Sequence, residues 1–145
     1  MLKFADNIVR KLPTRPRVWI SLWVIWFVTL WILSSGNPAP KDGPDIPHLD
    51  KVVHFGYFGI GASFFIAWLY YTSNEALRSK KWRAVIITTI AGSIVGAIDE
   101  FHQSFTPGRM GNDIGDWTAD TLGSLTAAII CYHLLNRRER LTRST

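Results

Sequence analysis

Between residues 99 and 120 the chain reads DEFHQSFTPGRMGNDIGDWTAD, the most acidic stretch of a basic sequence. It holds Asp99, Glu100, Asp113, Asp116 and Asp120, with His102 and a single cation, Arg109. Carboxylates beside imidazoles suit acid–base work, and a guanidinium suits a phosphate or carboxylate partner. At helical spacing Asp99, His102 and Gln103 fall on one face, and Glu100 with Gln103 on an overlapping one. Asp116, Asp120, Gly123 and Ala127 form a second stripe, polar at one end and small below. Upstream, Asp50, Lys51 and His54 form a third polar group, with His54 one turn beyond Asp50.

Two kinds of chemistry fit. In one, Glu100, His54 and Asp120 are the acid–base residues of an enzyme acting on a lipid headgroup, with His102 as the other partner for Glu100 and Arg109 stabilising a developing anion. In the other, Lys51, Gln103, Arg109, Asp116, Asp99 and His102 bind a ligand without turning it over, the cations meeting phosphate or carboxylate and the polar groups meeting amide or sugar. HExxH and CxxC spacings are missing, so no metal ligand is expected, and nothing specifies a cofactor. A nucleophile elbow and a phosphate-cradling P-loop are missing too. Each group also has a plain structural reading. Asp113 caps a helix with Asp116 in its first turn, Asp50 caps another, and His54 is a hydrogen-bonded core residue. Lys51 snorkels to headgroups and Arg109 is a loop cation. Asp120 and Glu100 fit such readings least, because each should lie about a turn or less inside the membrane interface.

Those runs are the elements that must position the charges. Val18–Leu33 is sixteen residues without a charge, and Ser34 and Ser35 bring it close to a span. A hydrocarbon core takes about 20 residues of helix. Val52–Thr72 follows with His54, then Ala84–Ile98, which runs helically towards Phe105, and then Trp117–Leu135 with Asp120 and His133. Continuous apolar runs with no amphipathic stripe argue against a soluble bundle. Ser34-Ser35-Gly36 is a poor cleavage site, so the first run is read as a span and not a removed leader. The expectation is an all-α polytopic membrane protein, a four-transmembrane-helix bundle in one domain over residues 1–145. Its spans fall at about 17–35, 51–72, 83–104 and 115–135. Met1–Leu12 reads as a short interfacial amphipathic helix, interrupted by Pro13 and Pro16.

Charge sets orientation. Thirteen Lys and Arg residues lie before the first run, between the second and third, and after the fourth, against three in the other connections. Both termini are therefore expected in the cytoplasm. The net charge of +5 reads as topology and attraction to anionic membrane lipids, not as nucleic-acid binding. Cys131 has no partner cysteine in the chain. Gly92 and Gly96 make a GxxxG element, and Gly56, Gly59 and Gly61 line the second run, which suits close helix packing. A charge facing lipid costs at least about 2.5 kcal/mol on insertion scales, so the polar groups should converge inside the bundle around a pocket open to the outer side. Four spans without an internal repeat make an alternating-access transporter a poor fit.

The segments DKVVHFGYFGIG, DEFHQSFTPGR and DWTADTLGS, in this order and spacing, resemble the VanZ-like family of small bacterial membrane proteins. The resemblance covers roughly residues 49–128 and rests on Lys51, His54, Glu100, Gln103, Pro107, Arg109, Asp116, Thr121 and Gly123. Asp120 departs from it, since the family commonly has Asn there. The resemblance implies a cell-envelope membrane protein whose namesake is associated with teicoplanin resistance. It also implies partners among membrane lipids, with a glycopeptide or lipid-linked wall precursor as ligand. It brings no reaction and no oligomeric state.

Overall fold

A computed structural model of the chain describes residues 10–36, 47–73, 80–109 and 111–143. Four long helices occur among the described residues: α1 (Pro16–Ser35), α2 (Leu49–Thr72), α3 (Lys81–Gln103) and α4 (Ile114–Arg143). No strand occurs among the described residues. Of the interfacial helix expected over Met1–Leu12, residues 1–9 lie outside the described residues, as do 37–46 of the proline-rich connection.

Local chemistry accounts for the helix ends. Pro16 stands at the first turn of α1, where its missing N–H breaks no hydrogen bond. The chain turns extended at Gly36 and at Ser73, which closes α1 and α2. The third helix stops at Gln103, short of Phe105, because Pro107-Gly108 forms a tight turn next to it. There the Arg109 N–H donates to the Thr106 carbonyl at 3.1 Å, with Gly108 at φ 82°. A positive φ at that place is what glycine permits. Downstream, α4 outruns its apolar stretch, because Asn136–Arg143 contains no Gly or Pro to end it.

Helices α1, α2 and α3 are long and apolar enough to cross a membrane. Many of their apolar side chains face outwards: Ile25, Ile32, Val52, Ile60, Ile86 and Ile94 are all exposed. Soluble monomers rarely carry apolar patches on such a scale. The fourth helix adds exposed Leu122 and Ile130 while turning Asp116, Asp120 and Ser124 inwards.

Packing places α2 against all three other helices, with α4 as its most extensive partner. The buried interior changes character along the bundle. At one end Trp19, Ile66, Tyr70, Val85, Ala128 and Tyr132 form an apolar cluster. In the middle Trp26, Leu30, Phe58 and Val95 form a second. Trp26 locks α1 to α2: its indole N–H donates to the Tyr57 carbonyl, and the Tyr57 hydroxyl donates to the Trp26 carbonyl, both at 3.0 Å. The other end is polar and also buried, with Asp99, Glu100, Gln103, Asp116 and Asp120 at 8% exposure or less.

Candidate functional site

Small residues let the polar end close. A side-chain carbon on Gly96 would lie 2.7 Å from Asp120 Oδ2, and one on Gly92 would collide with Ser124. The GxxxG face of α3 therefore makes room for the polar stripe of α4. On the opposite side of α4, Gly123 lies against the backbone of Phe55 in α2. These two approaches bring His54 and Asp120 together, with Nδ1 2.9 Å from Oδ1. Asp120 has no exposed surface. A fully buried carboxylate in hydrogen-bond contact with a half-buried imidazole fixes the ring's orientation and leaves Nε2 turned the other way. Asp116 Oδ2 lies 4.0 Å from that nitrogen.

Lys51 serves a separate group. Its ammonium stands 3.0 Å from Asp50 Oδ2, Asp113 Oδ2 and Asp116 Oδ1. It is engaged by carboxylates, not extended towards headgroups. Asp50 sits in the first turn of α2 as part of this cluster, while His48 holds the cap position. Asp113 does two jobs: its Oδ1 accepts the Gly115 N–H at 2.6 Å at the start of α4, and its Oδ2 meets Lys51. The Lys51 hydrogen bond, then the one from Gly115, hold the Asp113 carboxyl below the usual carboxylate range.

Glu100 is tied to the loop before α4. Its Oε2 accepts the Asp113 N–H at 2.7 Å, and its carbonyl accepts the Asn112 N–H at 3.2 Å. Oε1 is buried with no hydrogen-bond partner, as is Asp120 Oδ2. Asp99 takes one hydrogen bond from Ser34 of α1 and another, at 2.8 Å, from the Gln103 side chain. Arg109 reaches back over the end of α1, donating to the carbonyls of Leu33 at 2.8 Å and Gly36 at 3.2 Å. It pairs with no carboxylate among the described residues.

A cavity of about 160 Å³ opens between α1, α2 and α3. Leu30, Leu33, Val53, Tyr57 and Phe58 form its apolar wall, and His54, Asp99, Gln103, Arg109 and Ser34 its polar end. Glu100 lines a shallower depression on the α4 side, with Asn112, Asp113 and Trp117.

Of the residues singled out from sequence, His54, Asp99, Gln103 and Arg109 share the cavity, and Asp120 backs His54 from behind. Lys51 and Asp116 form the adjoining charge cluster. His102 keeps apart: its ring stacks on Trp31 with centroids 3.9 Å apart and Nε2 lies 3.5 Å from Ser35 Oγ, so it is not the partner of Glu100. Sequence reasoning found α1 but missed its part in the site. Ser34 holds Asp99, and the Ser34 carbonyl accepts the Thr106 hydroxyl at 3.2 Å. The available signal was the serine pair ending an otherwise unbroken apolar run.

Apolar helices with lipid-facing side chains and a buried polar end define a multi-pass membrane protein. The particular kind follows from the family comparison: the VanZ/LLP1 profile matches residues 5–136, and the chain belongs to that family. Comparison with curated proteins and with solved structures gave no match.

Proposed function

We propose that this protein sits in the bacterial cytoplasmic membrane and binds the headgroup of a lipid-linked envelope precursor in the cavity between α1, α2 and α3. In this reading α4 crosses the bilayer as well, both termini are cytoplasmic, and residues 1–145 act as one unit. Binding a wall precursor or a glycopeptide itself would contribute to tolerance of teicoplanin-type antibiotics. The observation that carries the reading is the division of the cavity into an apolar wall and a polar end. An amphiphile needs both. At about 160 Å³ the space takes a phosphate or a short amide or sugar segment. Drug-sized sites run to about 300 Å³ and more, so the rest of the ligand lies along the exposed helix faces. Arg109 supplies a cation with no carboxylate partner, and Gln103 an amide beside it. The test is binding of a lipid-linked wall precursor, and separately of teicoplanin, to protein in lipid nanodiscs. Arg109→Gln should weaken binding roughly 10- to 150-fold, the equivalent of a charged hydrogen bond at about 1.5–3 kcal/mol. Equal binding by wild type and Arg109→Gln rejects this assignment.

A second reading, a membrane enzyme acting on a lipid headgroup, is favoured by one feature that binding alone does not require: the buried Asp120–His54 pair beside Glu100. Such a pair serves general acid–base chemistry. Glu100→Gln should then cut product formation about 10²- to 10⁴-fold while the ligand still binds. Lipid-product analysis decides, because wild type that binds but forms no product from any envelope lipid is a binding protein only.

A further inference from the structure

The geometry points to a divalent-cation site formed by His54 of α2 with Asp99 and Glu100 of α3, of the first-row transition type that imidazole and carboxylate bind together. One ligand atom from each residue lies within 4.8 Å of the others. Metal–ligand bonds of about 2.0–2.2 Å place neighbouring ligand atoms roughly 3–4 Å apart, so a small contraction closes the site. Asp99 and Glu100 are 3% and 4% exposed, and His54 is half-buried at their side. No spacing motif announces the site, because its ligands come from two helices.

Three features indicate a ligand here and not merely a polar cluster. Glu100 Oε1 is buried without a hydrogen-bond partner while Oε2 is taken by the Asp113 N–H. A buried carboxylate oxygen left in that state is costly unless a cation or proton meets it. Next, Asp120 holds His54 through Nδ1, which leaves Nε2 for a metal in the carboxylate–histidine–metal arrangement. Third is charge: Asp99, Glu100, Asp116 and Asp120 are all buried at this end, and Lys51 is already shared among Asp50, Asp113 and Asp116. A dication supplies the missing positive charge at its centre.

The neighbouring trio of Asp50, Asp113 and Asp116 shows the contrast. Their oxygens also lie within 4.8 Å of one another, but the Lys51 ammonium stands 3.0 Å from each residue and takes the place a metal would need. That trio is therefore not a metal site, and it provides the control. Three protein ligands would leave a coordination position open, and His54 and Asp99 both line the cavity, so an anionic group there could complete the sphere. The site stands whether or not the cavity ligand is the one proposed above.

The experiment uses full-length protein in nanodiscs, stripped with a chelator and titrated with Zn²⁺. The expected result is one ion per chain, lost in Glu100→Gln and Asp99→Asn, weakened about 10- to 100-fold in Asp120→Asn, and unchanged in Asp113→Asn. If a variant fails to fold, ¹⁵N-histidine spectra of the wild type still decide. Zn²⁺ should move the Nε2 resonance of one imidazole, assigned to His54 by its loss in His54→Gln, while His48, His102 and His133 stay in place. Absence of Zn²⁺ binding, binding unaffected by Glu100→Gln, binding abolished by Asp113→Asn, or a shift on a different histidine each overturns the proposal. In the first case the buried carboxylates are neutralised by protons alone.

Discussion

Lys51 and Asp113 join the loop before α4 to the start of α2, and the pair makes stability depend on pH in a defined direction. Asp113 lies below the ordinary Asp value of about 3.9 because Lys51 and the Gly115 N–H favour its charged form. A depressed folded value adds stability that is fully present above about pH 4 and is lost as pH falls through the folded value. The part of the melting temperature in detergent that Asp113 contributes should therefore stay level from neutral pH down to about 5 and decline below about 4. Asp113→Asn, which cannot titrate, should flatten part of that decline, and an identical acid limb in the variant would refute the assignment. Lys51→Met leaves three carboxylates facing one another, Asp116 among them buried. A charged hydrogen bond contributes about 1.5–3 kcal/mol, and partial exposure of the cluster lowers the expected loss to about 1–2 kcal/mol at neutral pH. Denaturation of the two proteins in the same detergent measures it.

Helix contacts set the site's geometry through glycines that are not equivalent. At Gly123 an added side-chain carbon meets the carbonyl of Phe55, which is rigid backbone, and α2 must move away from α4. That shift acts next to His54 and one turn from Asp120. Gly123→Ala should destabilise the fold by about 1–3 kcal/mol, the usual range for overpacking, and lengthen the His54–Asp120 contact. Gly56, the residue after Phe55 on α2, meets nothing within 4 Å. Gly56→Ala should leave stability unchanged or raise it by about 0.4–1 kcal/mol through the lost flexibility of the unfolded chain. Thermal melts of the two variants side by side test the packing: equal effects would show that α2 and α4 do not approach as described.

Orientation is a property of the whole chain. Basic residues concentrate before α1, between α2 and α3, and at the end of α4, and the topology proposed above from that bias would put the Glu100–Asp120 end of the bundle outside the cell. Single cysteines in a Cys131→Ser background report on it. At Ser35 and Asn112, both exposed, they should react with a membrane-impermeant reagent in intact cells, whereas one at exposed Lys80 should react only after lysis. Labelling of the Lys80 site from outside would reverse the topology and place the cavity towards the cytoplasm.

Much of the molecule was legible in one dimension because the physics that forms it is local. A bilayer has no water for backbone groups, so an apolar run of sufficient length becomes a helix whatever its neighbours are. The four helices accordingly match the expected runs to within a few residues, apart from the far end of α4, where no residue breaks the helix. Helical spacing likewise put Asp99 with Gln103 and aligned Asp116 with Asp120. Which helix each face would meet depended on contacts between residues far apart in the chain, and the tertiary structure alone decided it. Spacing put His102 on a face with Asp99 and Gln103, yet it stacks on Trp31, because a flat ring near the helix end found an aromatic neighbour on α1. Lys51 read as a cation for a ligand or for headgroups but is held by carboxylates from α2, the loop and α4. The contribution of Ser34, and the meeting of His54, Asp99 and Glu100, had no periodic signal at all. They arise where α1, α2 and α3 converge, and the distance of that convergence is set by glycine contacts and the Trp26–Tyr57 lock, not by the residues that use it.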